Sequence, residues 1–142
     1  MREQIPRPQP CAVSNEAAMR EIADLAIDVA VSSGATYADC RVVQRGIQAM
    51  TVKGGRFAEV SSFEDEGMGI RAIVDGAWGF ASVDRLDSDS LRDAARLACR
   101  IARASARLRR QPVRLASAPV ATGEYVTPME RDPFEASLEE KM

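Results

Sequence analysis

The chain has 142 residues, a formal net charge of −2 and a hydrophobic fraction of 46%. That length suits one domain, and the balance of charge excludes an electrostatic case for nucleic-acid binding. Apolar runs are far too short to span a membrane. Histidine is absent and aromatic residues make up only 5%, so the core must be aliphatic and small.

From Met1 to about Val13 the chain carries Pro6, Pro8 and Pro10 without periodicity. This reads as a disordered extension over residues 1–13. Ser14 has the chemistry of a helix cap. From Asn15 an apolar stripe of Ala18, Ile22, Leu25, Ala26 and Val29 predicts an amphipathic helix. Gly34 is placed to stop it in a left-handed conformation.

A β region follows. Tyr37 to Arg45 predicts a strand with Ala38, Cys40 and Val42 on one face, and Gly46 a bend or bulge. Gln48 to Lys53 predicts a second strand, Gly54-Gly55 a hairpin turn, and Arg56 to Ser62 a third strand. Phe63-Glu64-Asp65-Glu66 reads as a polar loop. Gly67 to Val74 predicts a fourth strand, with Met68, Ile70, Ala72 and Val74 on one face. Asp75-Gly76 is a second hairpin turn, leading to a fifth strand, Ala77 to Val83. Trp78 and Phe80 fall on one side of it. Gly67, Gly69 and Gly79 are expected on the other, where something packs closely.

Asp87 caps a second helix, Ser88 to about Leu108, with a buried stripe of Leu91, Ala94, Ala95, Ala98, Ile101 and Ala102. Gln111 to Gly123 reads as a linker and Glu124 to Thr127 as a short strand. Ser137-Leu138-Glu139-Glu140 has the spacing of a capping box, which announces a helix. Because that helix has no room before Met142, the polypeptide is expected to continue past it. The expected organisation is an extension over 1–13, an α+β domain over 14–110, and a linker with the start of a further segment over 111–142. The expected fold is α+β in the order α-β-β-β-β-β-α. Its antiparallel sheet of about five strands carries two helices on one face.

The chemistry is mostly negative. A Ser-His-Asp or Cys-His hydrolase needs an imidazole, and there is none. Cys11, Cys40 and Cys99 are too widely spaced for a zinc knuckle or disulfide framework. Cys40 and Cys99 read as small buried hydrophobes, and reduced cysteines suit a cytoplasmic protein. The trio Glu64, Asp65 and Glu66 lacks the oxygen spacing of a calcium loop and reads as solvated. Gly67-Met68-Gly69 lacks the third glycine and following helix of a nucleotide fingerprint. Arg96, Arg100, Arg103 and Arg107 stripe one helix face; they are suited to phosphate or an acidic partner, but read first as a solvated face.

Several pieces taken together resemble the N-terminal domain of the TldD/PmbA family, once called modulators of DNA gyrase. They are Tyr37-Ala38-Asp39 with Arg41-Val42-Val43, Gly67-Met68-Gly69-Ile70-Arg71, and Asp75-Gly76-Ala77-Trp78-Gly79-Phe80-Ala81. The alanine-rich helix after Leu86, and Asp132-Pro133 followed by Leu138-Glu139-Glu140-Lys141, add to them. Gly69-Ile70-Arg71 and the Asp-Pro passage look more like the TldD side than the PmbA side. The resemblance implies a zinc-dependent peptidase that works as a pair of identical or sister subunits on unfolded peptides. It places the metal motif, two histidines and a glutamate on a helix, in the C-terminal half. No position here matches that motif, so no catalytic or metal residue is assigned and substrate-binding residues are left unknown. The expected role is a non-catalytic domain that helps form a substrate channel and subunit interface. The alternatives are an assembly role without substrate contact and a stand-alone binding module.

Overall fold

The computed structural model describes residues 16–141, so Cys11, the 1–13 extension and the Ser14 cap lie outside the described residues. The element order is α1 (Glu16–Ser32), β1 (Tyr37–Lys53), β2 (Arg56–Val74), β3 (Ala77–Val83) and α2 (Ser88–Ala106). The strands form one sheet in the order β1-β2-β3. The fold is α+β with an antiparallel sheet, but the described residues form three strands rather than about five.

The discrepancy lies in two expected interruptions. Gly46 sits within β1 and is not among the glycines with positive φ, so the strand runs through it. The expected loop over Phe63-Glu64-Asp65-Glu66 is strand within β2. Carboxylates disfavour strands in isolation, but cross-strand partners offset that preference. Arg45 Nη2 lies 2.5 Å from Asp65 Oδ2, and Gln44 Nε2 donates to Glu66 Oε2 at 3.2 Å. Two expected pairs of short strands therefore fuse into two long ones.

The described residues fall into two compact units, 16–45 with 65–115 and 46–64 with 116–141. In the first, α1 ends as its sequence predicts. Gly34 has φ +89, its N–H donates to the Val31 carbonyl at 2.8 Å, and the Ala35 N–H reaches the Ala30 carbonyl at 3.1 Å. That bond pair is a Schellman stop, and the positive φ is why glycine serves there. At the start of α2, Asp87 accepts from the Ser90 N–H at 3.0 Å. The expected C-terminus near Leu108 recedes to Ala106, with Arg107 as cap.

β2 pairs with β3 in the register Met68↔Val83, Ile70↔Ala81, Ala72↔Gly79 and Val74↔Ala77. Direct partners share a face, so these residues form one apolar surface. It meets Leu91, Ala94, Ala95, Ala98, Cys99 and Ala102 of α2, with Ala26 and Ala30 of α1 in the same core. Ala38, Cys40 and Val42 of β1 pack against it. Both helices thus serve one sheet face. Two details differ from expectation. Ile101 is 38% exposed rather than buried, and the α1 stripe gains Ala23 and Ala30 while Ala18 and Leu25 stay outside the core cluster. Small residues dominate because α2 lies so close to the sheet. A Cβ built on Gly79 would stand 2.0 Å from the Ala98 carbonyl oxygen and 2.5 Å from the Ala102 nitrogen.

In the second unit, Gly54 and Gly55 have φ +58 and +70, the double left-handed geometry of a tight hairpin turn between β1 and β2. The expected capping box is complete: Ser137 N–H donates to Glu140 Oε2 at 2.8 Å, and Glu140 N–H to Ser137 Oγ at 3.2 Å. Glu140 also pairs with Arg131 at 3.1 Å. Lys141 Nζ donates to Gln48 Oε1 at 2.5 Å. Residues 124–127 form no strand, contrary to expectation. Four residues gain too few ladder bonds to order themselves unless they lie along a sheet edge.

Gly79 and Gly46 give a sharp contrast. Gly79→Ala should lower stability by about 3 kcal/mol or more, because backbone rather than a flexible side chain must yield. Gly46→Ala, with nothing within 4 Å of the built Cβ, should be neutral or stabilising by about 0.5 kcal/mol. Urea denaturation of the two variants checks both values; equal effects would refute the close-packing account.

Candidate interaction face

The sheet face away from the helices is built by alternation. β1 contributes Tyr37, Asp39, Arg41 and Val43, β2 Gly67, Gly69, Arg71 and Ile73, and β3 Trp78, Phe80 and Ser82. The expectation that Gly67 and Gly69 share a face with Gly79 is therefore corrected. In the pairing, Arg71 lies opposite Phe80 and Gly69 opposite Ser82. Gly67 and Gly69 stand with Trp78 and Phe80, and Gly79 alone meets α2. The two β2 glycines still mark close approaches. A Cβ on Gly69 would lie 3.0 Å from the Phe80 ring, and one on Gly67 2.8 Å from the Val83 carbonyl.

The centre of this face is a cross-strand cluster. Arg71 Nε and Nη2 donate to Asp39 Oδ1 and Oδ2 at 2.9 and 2.7 Å, a bidentate pair. The same guanidinium sits 5.2 Å from the Trp78 ring centroid, within cation–π range. Tyr37 meets Trp78 edge to face, with centroids 5.9 Å apart. Each group thus orients the next: Asp39 fixes Arg71, Arg71 lies over Trp78, and Trp78 holds Tyr37.

The electrostatics follow the geometry. Partial burial pushes the Asp39 carboxyl upward, but hydrogen bonds from Arg71 and Tyr37, with the Arg71 charge, outweigh it and hold the group below its ordinary value. Hydrogen bonding to Asp39 raises the Tyr37 phenol. The pair with Asp39 raises Arg71.

Beside the cluster is an open depression of about 810 Å³ lined by Asp39, Arg41, Val43, Gly69, Arg71 and Phe80 among others. Phe80 is 55% and Val43 47% exposed. Apolar surface beside oriented, already paired charges suits a polypeptide better than a small charged ligand. β1 and β3 are the outer strands of the sheet, where unpaired backbone groups can receive an extended segment.

The other residues singled out from sequence do not join this face as a reactive group. Asp65 pairs with Arg45 and Glu66 with Gln44, and successive strand positions point to opposite faces, so the acidic trio does not converge. Cys40 and Cys99 are free thiols facing the Ala23 and Ala30 carbonyls at 3.8 and 3.5 Å, and burial raises both. Among the described residues, no group of three or more His, Cys, Asp and Glu side chains is placed to hold a metal ion. No helix among the described residues is long and apolar enough to cross a membrane.

Sequence reasoning missed the Asp39–Arg71–Trp78 cluster, although its members lie in three of the motifs that carried the resemblance. Residues 38–102, which hold the whole cluster except Tyr37, match the family model described as PmbA/TldA metallopeptidase domain 1. This stretch is an N-terminal domain of the TldD/PmbA family. The TldD/PmbA domain accounts for the sheet, the open face and all but the end of α2. The chain is also similar in fold to TldE from Thermococcus kodakarensis, with TM-score 0.56 and 22% identity over 80% of this chain and 24% of that one. A modulator of DNA gyrase from Bacteroides thetaiotaomicron gives TM-score 0.46 and 18% identity over 59% of this chain and 19% of that one. The chain thus spans about a quarter of the length of TldE. No curated protein matches it.

Asp39 offers a test with a defined sign. Its depressed carboxyl contributes stability above the unfolded-state value, near pH 4, and that stability is lost as pH falls through the folded-state value. In Arg71→Gln, burial remains while the main donor is gone, so the Asp39 midpoint in a carboxyl-carbon NMR titration should move up. The variant should be slightly destabilised at pH 7, since the pair is largely solvent-exposed. That difference should shrink as pH falls through the folded-state value of Asp39 in the parent protein, and close once Asp39 is protonated in both proteins. An unmoved midpoint would show that Arg71 does not hold the charge.

Proposed function

We propose that this chain serves as the non-catalytic N-terminal domain of a zinc-dependent TldD/PmbA-type peptidase, where it helps wall a channel for unfolded peptide and form the subunit interface. The observation that carries this reading is the match of residues 38–102 to the first domain of a metallopeptidase family. Zinc, when bound by the ligands that the resemblance places in the family's C-terminal half, would supply the activated water and the Lewis acid. The residues here would supply shape and position.

Two features support a peptide-facing role. The edge strands present backbone donors and acceptors that recognise extended chains without regard to sequence. The open face places Trp78 and Phe80 beside a fixed Arg71–Asp39 pair, which suits mixed side chains rather than one substrate group. The partner subunit, identical or sister, would meet the domain through the same exposed surface.

The test uses the 142-residue chain and an unstructured peptide bearing a photoreactive phenylalanine analogue. Adducts are expected on the open face near Trp78 and Phe80 or along the outer strands, with no chelator-sensitive cleavage of the peptide. Chelator-sensitive hydrolysis by the chain alone would overturn the non-catalytic assignment. Adducts confined to α1 and α2 would overturn the channel role.

A further inference from the structure

At the C-terminal end of α2, four exposed arginines and one carboxylate line a shallow, open cavity of about 520 Å³: Arg100, Arg103, Arg107, Arg109 and Asp75. Two of the arginines have structural work. Arg103 donates to the Ser33 carbonyl at the end of α1, and Arg109 donates to the Ala106 carbonyl at 3.0 Å. Both satisfy carbonyls at helix C-terminal ends, a common use of cations there. The Arg100 and Arg107 guanidinium groups have no hydrogen-bonded or ion-paired partner among the described residues. They contrast with Arg92 and Arg96 on the same helix, which pair with Asp89 and Asp93 at 3.1 and 3.4 Å. The cavity therefore concentrates positive charge that the fold does not neutralise. Clustered like charges cost stability, and here two of them serve no contact that offsets the cost.

We infer that this cavity is a binding site for a carboxylate-rich peptide segment, with Arg100 and Arg107 as its principal contacts. Guanidinium groups present planar, paired N–H donors that match a carboxylate. One turn of α2 brings Arg103 and Arg107 together and Arg100 adjoins them, so acidic side chains a few ångströms apart can each meet a guanidinium. Asp75, in a left-handed turn with φ +49, presents the one carboxylate among the described lining residues. It repels an incoming acid locally, and so favours a segment whose acids lie toward Arg100 and Arg107.

The competing occupant is a nucleic acid, and the lining argues against it. Single-stranded nucleic acids are held by aromatic stacking as well as by charge, and the lining of Asp75, Arg100, Arg103, Ala104, Ala106, Arg107 and Arg109 contains no aromatic ring. The net charge of −2 also opposes a long polyanion that must run past the rest of the surface. A short acidic stretch meets only the local surplus. The site lies on side chains separate from the Asp39–Arg71 face, so its failure would leave the proposed peptidase role unaffected.

The test is a titration of the 142-residue chain with hexaglutamate, inorganic phosphate and oligothymidylate, read by arginine Nε–Hε NMR. Hexaglutamate should shift the Arg100 and Arg107 signals and bind more weakly as NaCl rises from about 50 to about 300 mM. The Arg100→Gln, Arg107→Gln double variant should keep or raise its thermal midpoint, because it relieves like-charge repulsion, and bind at least about tenfold more weakly. Arg92→Gln, outside the cavity, should bind as the parent does. Shifts spread over all arginines, affinity retained in the double variant, or tighter binding of phosphate or oligothymidylate at Arg100 and Arg107 would each overturn the assignment.

Discussion

The hydrogen in place of a side chain at Gly79 sets the geometry of the main unit. It lets the α2 backbone approach β3 closely enough that a methyl group would fall on the Ala98 carbonyl. A helix that near a sheet leaves room only for small residues, which explains the run of Ala94, Ala95, Ala98, Cys99 and Ala102 along its buried stripe. The core gains its close contacts from backbone proximity rather than from large side chains. A chain with so few aromatic residues can form a core in this way.

The same constraint decides where the aromatic residues go. With alanine and glycine filling the helix side of β3, Trp78 and Phe80 must face the other way, by the two-residue period of the strand. There they meet Tyr37, Arg71 and the gap left by Gly69. The open face is thus the structural complement of the tight helix contact. One strand serves both sides, small residues toward α2 and large ones toward solvent. The proposed positioning role rests on the composition of that face.

Charge follows a similar division. Along the sheet, Asp39 with Arg71, Arg45 with Asp65 and Gln44 with Glu66 satisfy groups on neighbouring strands. These pairs let polar residues remain in long strands and fix the relation of β1 to β2. At the end of α2 the pattern changes, and guanidiniums outnumber carboxylates. Local pairing and local surplus therefore coexist in a chain whose net charge is close to zero.

Much of the fold was legible in the sequence because it depends on residues near one another. Gly34 stops α1, Asp87 starts α2, Asp75-Gly76 and Gly54-Gly55 turn the hairpins, and Ser137 with Glu140 closes a capping box. Each rests on steric freedom or on a bond spanning a few positions. The five short strands expected from Gly46 and the acidic trio were not real boundaries, because partners about twenty residues away supply the ion pair and hydrogen bond that keep the strands continuous. Only the β2–β3 register placed Gly67 and Gly69 with Trp78 rather than with Gly79. Only the fold brought Asp39, Arg71 and Trp78 together. Local sequence determined where elements begin, end and turn; tertiary structure decided which face each residue shares and which charges meet, because both depend on register between segments distant in the chain.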